Sequence, residues 1–594
     1  MKFLGLLLTL CISISIYGQQ IFHEISMPNP ETHYFHIQTT LNNFKEKKIT
    51  LVMPVWSPGS YLIREYPKNV NLVRAFDENN HSLNVKKVSK NKWEIEKGNA
   101  KKVIVKYESY AFNLGVRTAF LDKTHGFFNG TNVFTFPEGY KHLGGQVKVI
   151  PHADFATISA PLKIAGDGVS TDSGAKTFLF SDFDELADSP FEVGNQVVFH
   201  FDAAGVKHTV AMYGEGNYDI EILKKDMARV VEAATTIFGQ NPNKEYLFIV
   251  HNTDDGDGGL EHMNSTTLNV SKWIYSKEKY RGFLSLVAHE YFHVWNVKRL
   301  RPCALVDIDY SNENYTDLLW VMEGFTSYYS EIILLRAGYH TQESYLTKLQ
   351  GTLNYVEGTP GNKVQPVSHS SYDAWIKSYR PNENSRNTEV SYYSKGGLIG
   401  AVLDAMIIEK YNGKKDLSDF MQLLYQKYYA TKNVGFTQTQ FKEELSKFLG
   451  KNMDDFFIKY IDGVETIPYE DFMRPLGLFI ERIDEVNQSI GIGYSIRSGR
   501  VVITNVLAGS EAEKAGLSVD DEIIAFNGYR VNDSNLSGFL ADLSVGQPFK
   551  LWIARGERMM EITNIKMGTT TRSRYHFTYE GNKLGAFWLR EMGK

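Results

Sequence analysis

The chain has 594 residues, of which 43% are hydrophobic and 22% are charged, so it can fill several hydrophobic cores and is not globally disordered. Its mean hydropathy of -0.29 argues against a membrane protein with many spans. The net charge of -5 gives no indication of a nucleic-acid-binding protein, which usually carries a basic patch or has a high isoelectric point.

The N-terminus predicts a signal peptide over residues 1–19. Lys2 is followed by a short apolar stretch, residues 4–16, and by the small residue Gly18. The stretch is too short for a comfortable membrane span, and no second run of spanning length follows residue 20. An uncleaved anchor is the alternative. We therefore expect a periplasmic or secreted protein without a membrane span after cleavage. Cys303 is then the remaining cysteine, which leaves neither an intrachain disulfide nor a cysteine metal cluster.

The sequence pattern changes along the chain and predicts an α+β protein of several domains. Residues 20–215 alternate apolar and polar positions between turn clusters, which predicts a β-rich N-terminal domain. Residues 216–475 are mostly of helical period, beginning with the apolar positions of residues 220–238. Residues 476–570 return to short strands with glycine punctuation, among them a hairpin signal at Asn527-Gly528. Residues 571–594 remain as a C-terminal tail.

The segment His289-Glu290-Tyr291-Phe292-His293 is the clearest chemical signal in the chain. Residues four apart on a helix lie on one face, so both imidazoles can bind one metal ion. Glu290 stands beside them as the general base that takes a proton from the attacking water. The surrounding residues are apolar nearly all round, which predicts a buried helix in which unpartnered polar groups are costly. A zinc ion would satisfy all three side chains, and two core histidines bonded to the backbone are the alternative.

A zinc hydrolase needs a third protein ligand and one open position. Glu323 lies in an apolar run of helical period, residues 318–335, where an unpaired carboxylate would be costly. We predict that His289, His293 and Glu323 hold one zinc ion per chain. The competing carboxylates are Glu331 and Glu313. The residues that could orient the ligands are Asn296, Asp317 and Ser327.

This zinc motif, followed by Glu-Gly-Phe on a later helix, resembles the gluzincin zinc peptidases. Upstream, Gly258-Gly259-Leu260-Glu261 is similar to the exopeptidase motif of alanyl and leucyl aminopeptidases, whose glutamate binds the free α-amine of the substrate. The resemblance implies that Gly258, Gly259 and Glu261 bind substrate, and that only the first peptide bond meets the metal. His262 departs from the family, which has an asparagine at this position. The alternative for Glu261 is a solvated loop charge.

A later segment, Ser391-Tyr392-Tyr393-Ser394-Lys395-Gly396, resembles the Tyr-x-Lys-Gly segment of the same enzymes. Their tyrosine donates a hydrogen bond to the oxyanion of the tetrahedral intermediate. Tyr393 matches by spacing, since it stands three residues before Gly396, and the resemblance implies this catalytic role for it. The alternative is that Tyr392 and Tyr393 only pack against neighbouring side chains.

Three more segments are similar to the glycyl aminopeptidase family. Residues 56–61 and 184–194 look like its N-terminal domain, and residues 509–528 look like a bacterial PDZ domain. The resemblance covers nearly the whole chain after residue 20. It implies a β-sandwich-like N-terminal domain, a thermolysin-like, mostly helical catalytic domain and a C-terminal PDZ domain. Ile490, Gly491 and Ile492 would then form the loop that captures a peptide C-terminus, unless the domain only packs against the catalytic unit.

These features together predict an exported zinc aminopeptidase that hydrolyses the first bond of peptides with a free N-terminus. The family implies a preference for glycine and alanine, which residue spacing does not show. Two other functions stay open. One is a zinc endopeptidase, in which Glu261 does not face the cleft. The other is a PDZ-based peptide-binding protein with a decayed catalytic unit. The presence of all the predicted metal ligands, the general base and the phenol argues against this function.

Overall fold

A computed structural model describes residues 18–166 and 174–592 of the chain. Residues 1–17, most of the predicted signal peptide, lie outside the described residues. The described residues form two compact units. The first unit contains the chain up to Ser60, Arg64–Val197 and Tyr310–Asn312, and the second contains Tyr61–Ile63, Val198–Asp309 and the chain from Glu313 onwards. The predicted α+β class with a β-rich N-terminal domain is confirmed.

The first unit is built almost entirely from strands. Its strands are β1 (Gln20–Ser26), β2 (Tyr34–Asn42), β3 (Lys48–Val52), β4 (Val70–Phe76), β5 (Ser82–Ser89), β6 (Lys92–Glu96), β7 (Lys102–Tyr110), β8 (Phe120–Leu121), β9 (His125–Asn129), β10 (Phe136–Pro137), β11 (Gly145–Ile150), β12 (Thr157–Ser159), β13 (Lys163–Ile164), β14 (Lys176–Phe180) and β15 (Pro190–Gly194). Two short helices, α1 (Gly130–Val133) and α2 (Phe183–Ala187), complete it.

These strands form two sheets in the described part of the first unit. The larger has eleven strands in the order β10-β3-β6-β5-β4-β7-β2-β1-β11-β14-β13, and the smaller has four in the order β12-β15-β9-β8. Alternate residues of β2, such as Phe35 and Ile37, are buried because successive side chains of a strand point to opposite faces. The alternating segments of the sequence therefore become strands with one face in the core.

The second unit begins with a mixed sheet of five strands in the order β16-β17-β18-β20-β19. The strands are β16 (Val197–Ala203), β17 (Val206–Tyr213), β18 (Glu245–Thr253), β19 (Gly259–Glu261) and β20 (Ser265–Ser271). Strands β17, β18 and β20 are parallel neighbours, and β19 pairs antiparallel with β20. Helix α3 (Ile220–Phe238) connects β17 to β18; it is capped by Asp219 and ends at Gly239, as its pattern predicts.

The helices that follow carry most of the predicted functional residues. They are α4 (Tyr280–Phe292), α5 (Leu319–Met322), α6 (Gly324–Arg336), α7 (Gln342–Glu357), α8 (Val367–Tyr372), α9 (Ser385–Thr388), α10 (Tyr392–Lys410), α11 (Leu417–Leu424), α12 (Gln438–Leu449), α13 (Asp454–Phe456) and α14 (Tyr469–Met473), with π-helical segments at Tyr425–Ala430 and Phe457–Ile461. In the described residues no helix is long and apolar enough to cross a bilayer.

Two glycines set the distance between α6 and α10. A Cβ on Gly396 would lie 2.3 Å from the carbonyl oxygen of Trp320, and a Cβ on Gly324 would lie 2.5 Å from Cα of Gly396. Neither position has room for a side chain, so the two helix backbones pack in direct contact. This contact brings the first turn of α10, with Tyr393, beside the residue that precedes α6, Glu323.

The C-terminal part of the second unit contains a sheet with the main order β22-β23-β24-β26-β27 and a two-stranded ribbon of β21 and β28. Its elements are β21 (Leu478–Gln488), β22 (Ile492–Arg497), β23 (Arg500–Val506), α15 (Glu511–Lys514), β24 (Glu522–Phe526), β25 (Tyr529–Arg530), α16 (Leu536–Ala541), β26 (Pro548–Arg555), β27 (Arg558–Lys566), β28 (Thr569–Tyr579) and α17 (Lys583–Trp588). Asn527 and Gly528 both have positive φ and connect β24 to β25, which is the predicted hairpin.

The segment predicted as a C-terminal tail is folded over most of its length. Strand β28 pairs with β21 from Thr569 to Tyr579. Trp588 of α17 is buried, and its indole N–H donates to the hydroxyl of Tyr328 at 3.0 Å. Residues 571–592 are therefore part of the second unit, and the other predicted domain boundaries stay predictions.

Candidate metal centre

The C-terminal end of α4 presents both histidines of the predicted zinc motif, His289 in its last turn and His293 as the residue that caps it. Their rings have centroids 4.8 Å apart and are nearly perpendicular. The Nδ1 atom of His293 lies 2.9 Å from the carbonyl oxygen of Asn296, so Nδ1 carries the proton and donates it there. Nδ1 of His289 lies 3.3 Å from the hydroxyl oxygen of Ser330, whose own hydrogen is donated to a carbonyl. In the neutral imidazoles, which are the form that binds a metal ion, both Nε2 atoms are thus left with a free lone pair.

Glu323, which stands between α5 and α6, meets these lone pairs. Its Oε2 atom lies 3.4 Å from Nε2 of His289 and 3.3 Å from Nε2 of His293. The side chain is buried, with 2% of its surface exposed. Burial alone would raise the pKa of the Glu323 carboxyl, but the positive charge and the hydrogen bonds of the imidazoles in their protonated form outweigh burial and hold this pKa below its usual value. The carboxylate is therefore ionised and directed at two imidazole nitrogens.

Asn296 connects the two halves of this cluster. Its carbonyl oxygen accepts the hydrogen bond from His293, and its side-chain amide donates to the carbonyls of Val321 and Met322 at 3.0 and 2.9 Å. The backbone just before Glu323 is thereby tied to the end of α4. Of the residues that the sequence suggests for orienting the ligands, Asn296 makes these contacts.

The cluster fits a zinc ion in donor type and in spacing. One ligand atom from each of His289, His293 and Glu323 lies within 4.8 Å of the others. Two imidazole nitrogens and a carboxylate oxygen are donors that zinc prefers, and donors bound tetrahedrally at about 2.0–2.1 Å lie roughly 3.3 Å apart. The two Nε2–Oε2 distances match this expected distance between donors. Glu331, one of the two competing carboxylates, is not part of this group and pairs with His340 at 2.7 Å.

Glu290 lies beside the predicted ligands and not among them. Its Oε2 atom is buried without a hydrogen-bond partner in the described residues. Burial raises the pKa of the Glu290 carboxyl to about 7, against the opposing effect of His289 and His293. A carboxyl with such a pKa can take up and release a proton near neutral pH.

Strand β19 brings the predicted substrate-binding motif next to Glu290. A Cβ on Gly259 would lie 2.4 Å from Cδ of Glu290, so the backbone of β19 lies directly against this carboxyl. Gly258, just before the strand, has a φ of 107°, which side-chain-bearing residues rarely adopt. Glu261 is 4% exposed, and its Oε1 atom has no hydrogen-bond partner among the described residues. Glu261, Glu290 and His293 also offer ligand atoms within 4.8 Å of one another.

Tyr393 lies at the other side of the histidine pair. Its ring centroid is 6.2 Å from that of His289, and it stacks on the buried ring of Tyr392 at 4.6 Å. Ser391 caps α10 by accepting a hydrogen bond from the amide of Ser394 at 3.2 Å, which fixes the first turn that carries Tyr393. The phenol predicted to act on the oxyanion therefore stands in the same cluster as the predicted ligands.

Tyr61 is a residue of this site that the sequence does not reveal. It belongs to the second unit, is 1% exposed, and its hydroxyl has no hydrogen-bond partner among the described residues. Its ring packs edge-on against Trp375 and Tyr379, at centroid distances of 5.6 and 6.2 Å. Burial raises the pKa of the Tyr61 phenol well above its usual value, and the nearby charges of Glu323 and Glu261 raise it further. No local pattern around Tyr61 indicates contacts with residues so distant in sequence.

Two backbone carbonyls of the predicted peptide-binding loop accept hydrogen bonds that fix this loop within the C-terminal domain. The carbonyls of Ile490 and Gly491 accept hydrogen bonds from the amides of Ala512 and Leu507, at 2.9 and 2.8 Å. The amide of Gly491 donates to the hydroxyl of Ser489 at 3.0 Å. Ile492 begins β22, which is an edge strand in the described sheet.

Three family descriptions match the chain in order. Residues 23–195 match the Peptidase M61 N-terminal domain, residues 282–399 match M61 glycyl aminopeptidase, and residues 488–566 match a PDZ domain. The predicted family and its PDZ domain are thus confirmed. A comparison with curated proteins gave no match.

Among solved structures similar to this chain, one covers nearly its whole length. An aminopeptidase N family protein from Idiomarina loihiensis has 29% identity and a TM-score of 0.89, over 96% of this chain and 100% of its own. The M1 zinc metallopeptidase from Deinococcus radiodurans has 13% identity and a TM-score of 0.47, over 76% of this chain and 95% of its own. A variant of that enzyme has 13% identity and a TM-score of 0.49, over 76% and 96%. The chain therefore contains the two domains of an M61 glycyl aminopeptidase together with a PDZ domain, and these domains are those of a metallo-aminopeptidase.

Proposed function

We propose that the protein is a zinc-dependent aminopeptidase that removes small N-terminal residues, with one zinc ion held by His289, His293 and Glu323. The observation that carries the proposal is the approach of Oε2 of Glu323 to both imidazole Nε2 atoms, at 3.3 and 3.4 Å, in a buried cluster. Zinc, when bound there, would polarise the scissile carbonyl and lower the pKa of the attacking water. Export of the protein stays a prediction from its first 19 residues.

Glu290 is the proposed general base. Its buried carboxyl has a pKa raised to about 7 and a free Oε2 atom, so it can accept a proton from the attacking water and return it to the leaving amine.

The hydroxyl of Tyr393 donates a hydrogen bond to the oxyanion as charge develops on it. Such a donor contributes a few kcal/mol when it is oriented in advance by its helix, as Tyr393 is by the capped turn of α10.

Glu261 is the proposed anchor for the substrate ammonium, with the backbone of Gly258 and Gly259 beside it. A buried carboxylate oxygen without a partner is costly, and a charged donor from the substrate would relieve this cost. Because Glu261 stands next to Glu290 and His293, an ammonium bound there leaves room for a single residue before the scissile bond. This placement favours an aminopeptidase over the endopeptidase alternative.

The aromatic side chains near Glu261 support a preference for glycine and alanine. Tyr61 packs against Trp375 and Tyr379, and its phenol lies within the electrostatic reach of Glu261 and Glu323. The ring of Tyr61, which these two neighbours hold in place, restricts the volume for the first side chain of the substrate. A larger side chain would have to displace buried aromatic rings, which close packing resists.

We also propose that Ile490, Gly491 and Ile492 bind the C-terminus of a peptide. Edge strand β22 offers backbone groups to an added strand, and the loop before it is fixed by its carbonyl hydrogen bonds. A peptide carboxylate would replace the hydroxyl of Ser489 at the amide of Gly491.

The free α-amine is the first property to test. We expect rapid cleavage of glycine and alanine chromogenic amides, loss of activity with a chelator, and no cleavage of the N-acetylated forms. Glu290→Gln should lower kcat by about 10²–10⁴-fold, because the base is lost, and should keep one zinc per chain in metal analysis. Glu444→Gln, which removes from α12 a carboxylate that pairs with Lys427 and Lys447, is the control. Equal cleavage of acetylated substrates would establish an endopeptidase instead.

The contact between Gly259 and Glu290 yields a second prediction. Gly259→Ala places a methyl group at 2.4 Å from Cδ of Glu290 and must displace the base. We expect kcat to fall by about 10²-fold, as for a small misplacement of a catalytic group, while the zinc content is unchanged. Gly282→Ala on α4 is the matched control, since its Cβ meets no atom within 4 Å. Wild-type kcat in Gly259→Ala would show that Glu290 is not held against β19 in the active enzyme.

Substrate selectivity tests the role of Tyr61. We expect Tyr61→Ala to lower the ratio of kcat/KM for glycine to that for leucine amides by at least about 10-fold, because a buried ring no longer restricts the first side chain. Tyr61→Phe keeps the ring and should keep the ratio. Tyr66→Ala removes an equally buried phenol from the first unit and should not alter the ratio. The ratio is measured within one preparation, so it does not depend on how much of a variant folds. An unchanged ratio in Tyr61→Ala would assign the selectivity to other residues.

Peptide binding at the C-terminal domain is testable with the full chain. We expect a fluorescent peptide with a free C-terminal carboxylate and a blocked N-terminus to bind at least about tenfold more tightly than its C-terminal amide, since the carboxylate accepts charge-assisted hydrogen bonds. Fluorescence anisotropy measures both affinities. Equal affinities of acid and amide would mean that the loop does not capture a carboxylate.

A further inference from the structure

A cavity of about 260 Å³ opens beside the proposed active centre. Its lining includes His289 of α4 and Tyr393 of α10, together with Glu331 of α6 and Lys348 and Leu349 of α7. Glu261, Glu290 and Glu323 are not among its lining residues. The cavity thus borders the metal centre at His289 and Tyr393, and the proposed ammonium anchor is not part of its wall.

The direction of a bound peptide follows from these positions. If Glu261 holds the ammonium, the first residue lies at Glu261 and the scissile carbonyl lies between Glu290 and Tyr393. The residue after the scissile bond must then leave on the side of His289 and Tyr393, where the cavity begins. The cavity volume lies just below the range of small-molecule sites, about 300–1,000 Å³, and so suits a very short segment rather than a long peptide.

The charged groups of this cavity differ in what they can still bind. Oε1 of Glu331 accepts a hydrogen bond from the hydroxyl of Ser285 at 2.9 Å, and Oε2 pairs with Nε2 of His340 at 2.7 Å. Both of its oxygens are therefore engaged within the protein. Lys348 is exposed and makes no ion pair with any residue in the described ranges. Its ammonium, on a flexible stem, is the charge in the cavity wall that is available to a ligand.

The charge of Lys348 acts inside the cavity and not only outside it. Burial alone would raise the pKa of the Glu331 carboxyl, but the hydrogen bond from His340 and the charge of Lys348 outweigh burial and lower it. Lys348 is thus close enough to influence a carboxylate within the cavity. A substrate carboxylate at its mouth would meet the same positive charge, without the partners that Glu331 already has.

We infer that this cavity receives the residue after the scissile bond and that Lys348 pairs with a carboxylate of that residue. Dipeptides, whose C-terminal carboxylate directly follows the second residue, are then the favoured substrates. A carboxylate on the second side chain offers the same chemistry from another source. This inference rests on the proposed aminopeptidase function, because it takes the substrate direction from Glu261.

Four peptides with the same first residue separate these sources: Ala-Leu, Ala-Leu-amide, Ala-Glu-amide and Ala-Lys-amide. We expect kcat/KM for Ala-Leu to exceed that for Ala-Leu-amide by about three- to tenfold, mainly through KM, as for a partly exposed ion pair. Since salt screens such a pair, the difference should shrink as the ionic strength rises. An advantage of Ala-Glu-amide over Ala-Leu-amide would show that a side-chain carboxylate is also accepted.

Variants of Lys348 decide whether this residue is responsible. Lys348→Gln should abolish the difference between Ala-Leu and its amide, and Lys348→Arg should retain it. Lys225→Gln, which removes an exposed lysine from α3, controls for the change in net charge.

Equal cleavage of acid and amide by the wild type, or an unchanged difference in Lys348→Gln, would overturn the inference. A preference for Ala-Lys-amide would also overturn it and would assign the cavity to Glu331. If the wild type cleaves Ala-Leu-amide and does not cleave Ala-Leu faster than this amide, only this inference fails. If it cleaves none of the four peptides, the proposed function is refuted as well.

Discussion

The convergence of two imidazole nitrogens and one carboxylate oxygen in a buried cluster is the arrangement on which the rest of this site depends. Nε2 of His289 and of His293 each lie within 3.4 Å of Oε2 of Glu323. Their other ring nitrogens are engaged by the carbonyl of Asn296 and the hydroxyl of Ser330, so the lone pairs point inwards. A buried carboxylate and two imidazoles in this arrangement are complementary to a divalent cation. The unpartnered oxygens of Glu261 and Glu290 add negative charge to the same place.

Close backbone contacts hold the elements of the site at the required distances. Gly324 and Gly396 let α6 and α10 touch, which brings Glu323 and Tyr393 together. Gly259 lets β19 lie against the carboxyl of Glu290. In each place a side chain would separate two elements, and the functional group on one of them would move. The glycines therefore act through space that must stay empty, and not through any chemistry of their own.

The two sides of the metal centre differ in shape and in charge. On the side of Glu261, the buried ring of Tyr61 packs against Trp375 and Tyr379. On the side of Tyr393, a cavity continues between helices towards an exposed lysine. A negative group at one end and a positive group at the other match the charges of a short peptide with free termini. In the proposed function, this polarity would give the substrate one direction past Glu290 and Tyr393.

The sequence by itself determined what depends on neighbours along the chain. The spacing of His289 and His293 places both imidazoles on one helical face, Asn527-Gly528 forms the predicted turn, and the alternating segments form strands, because each depends on backbone geometry within a few residues. Glu323 stood out only because a carboxylate in an apolar run needs a partner. The tertiary structure alone decided that Gly259 lies against Glu290, that Tyr61 lies near Glu261 and Glu323, and that Lys348 lines the cavity at His289. These contacts join segments that are far apart in the chain, and local periodicity carries no information about which distant surfaces pack together.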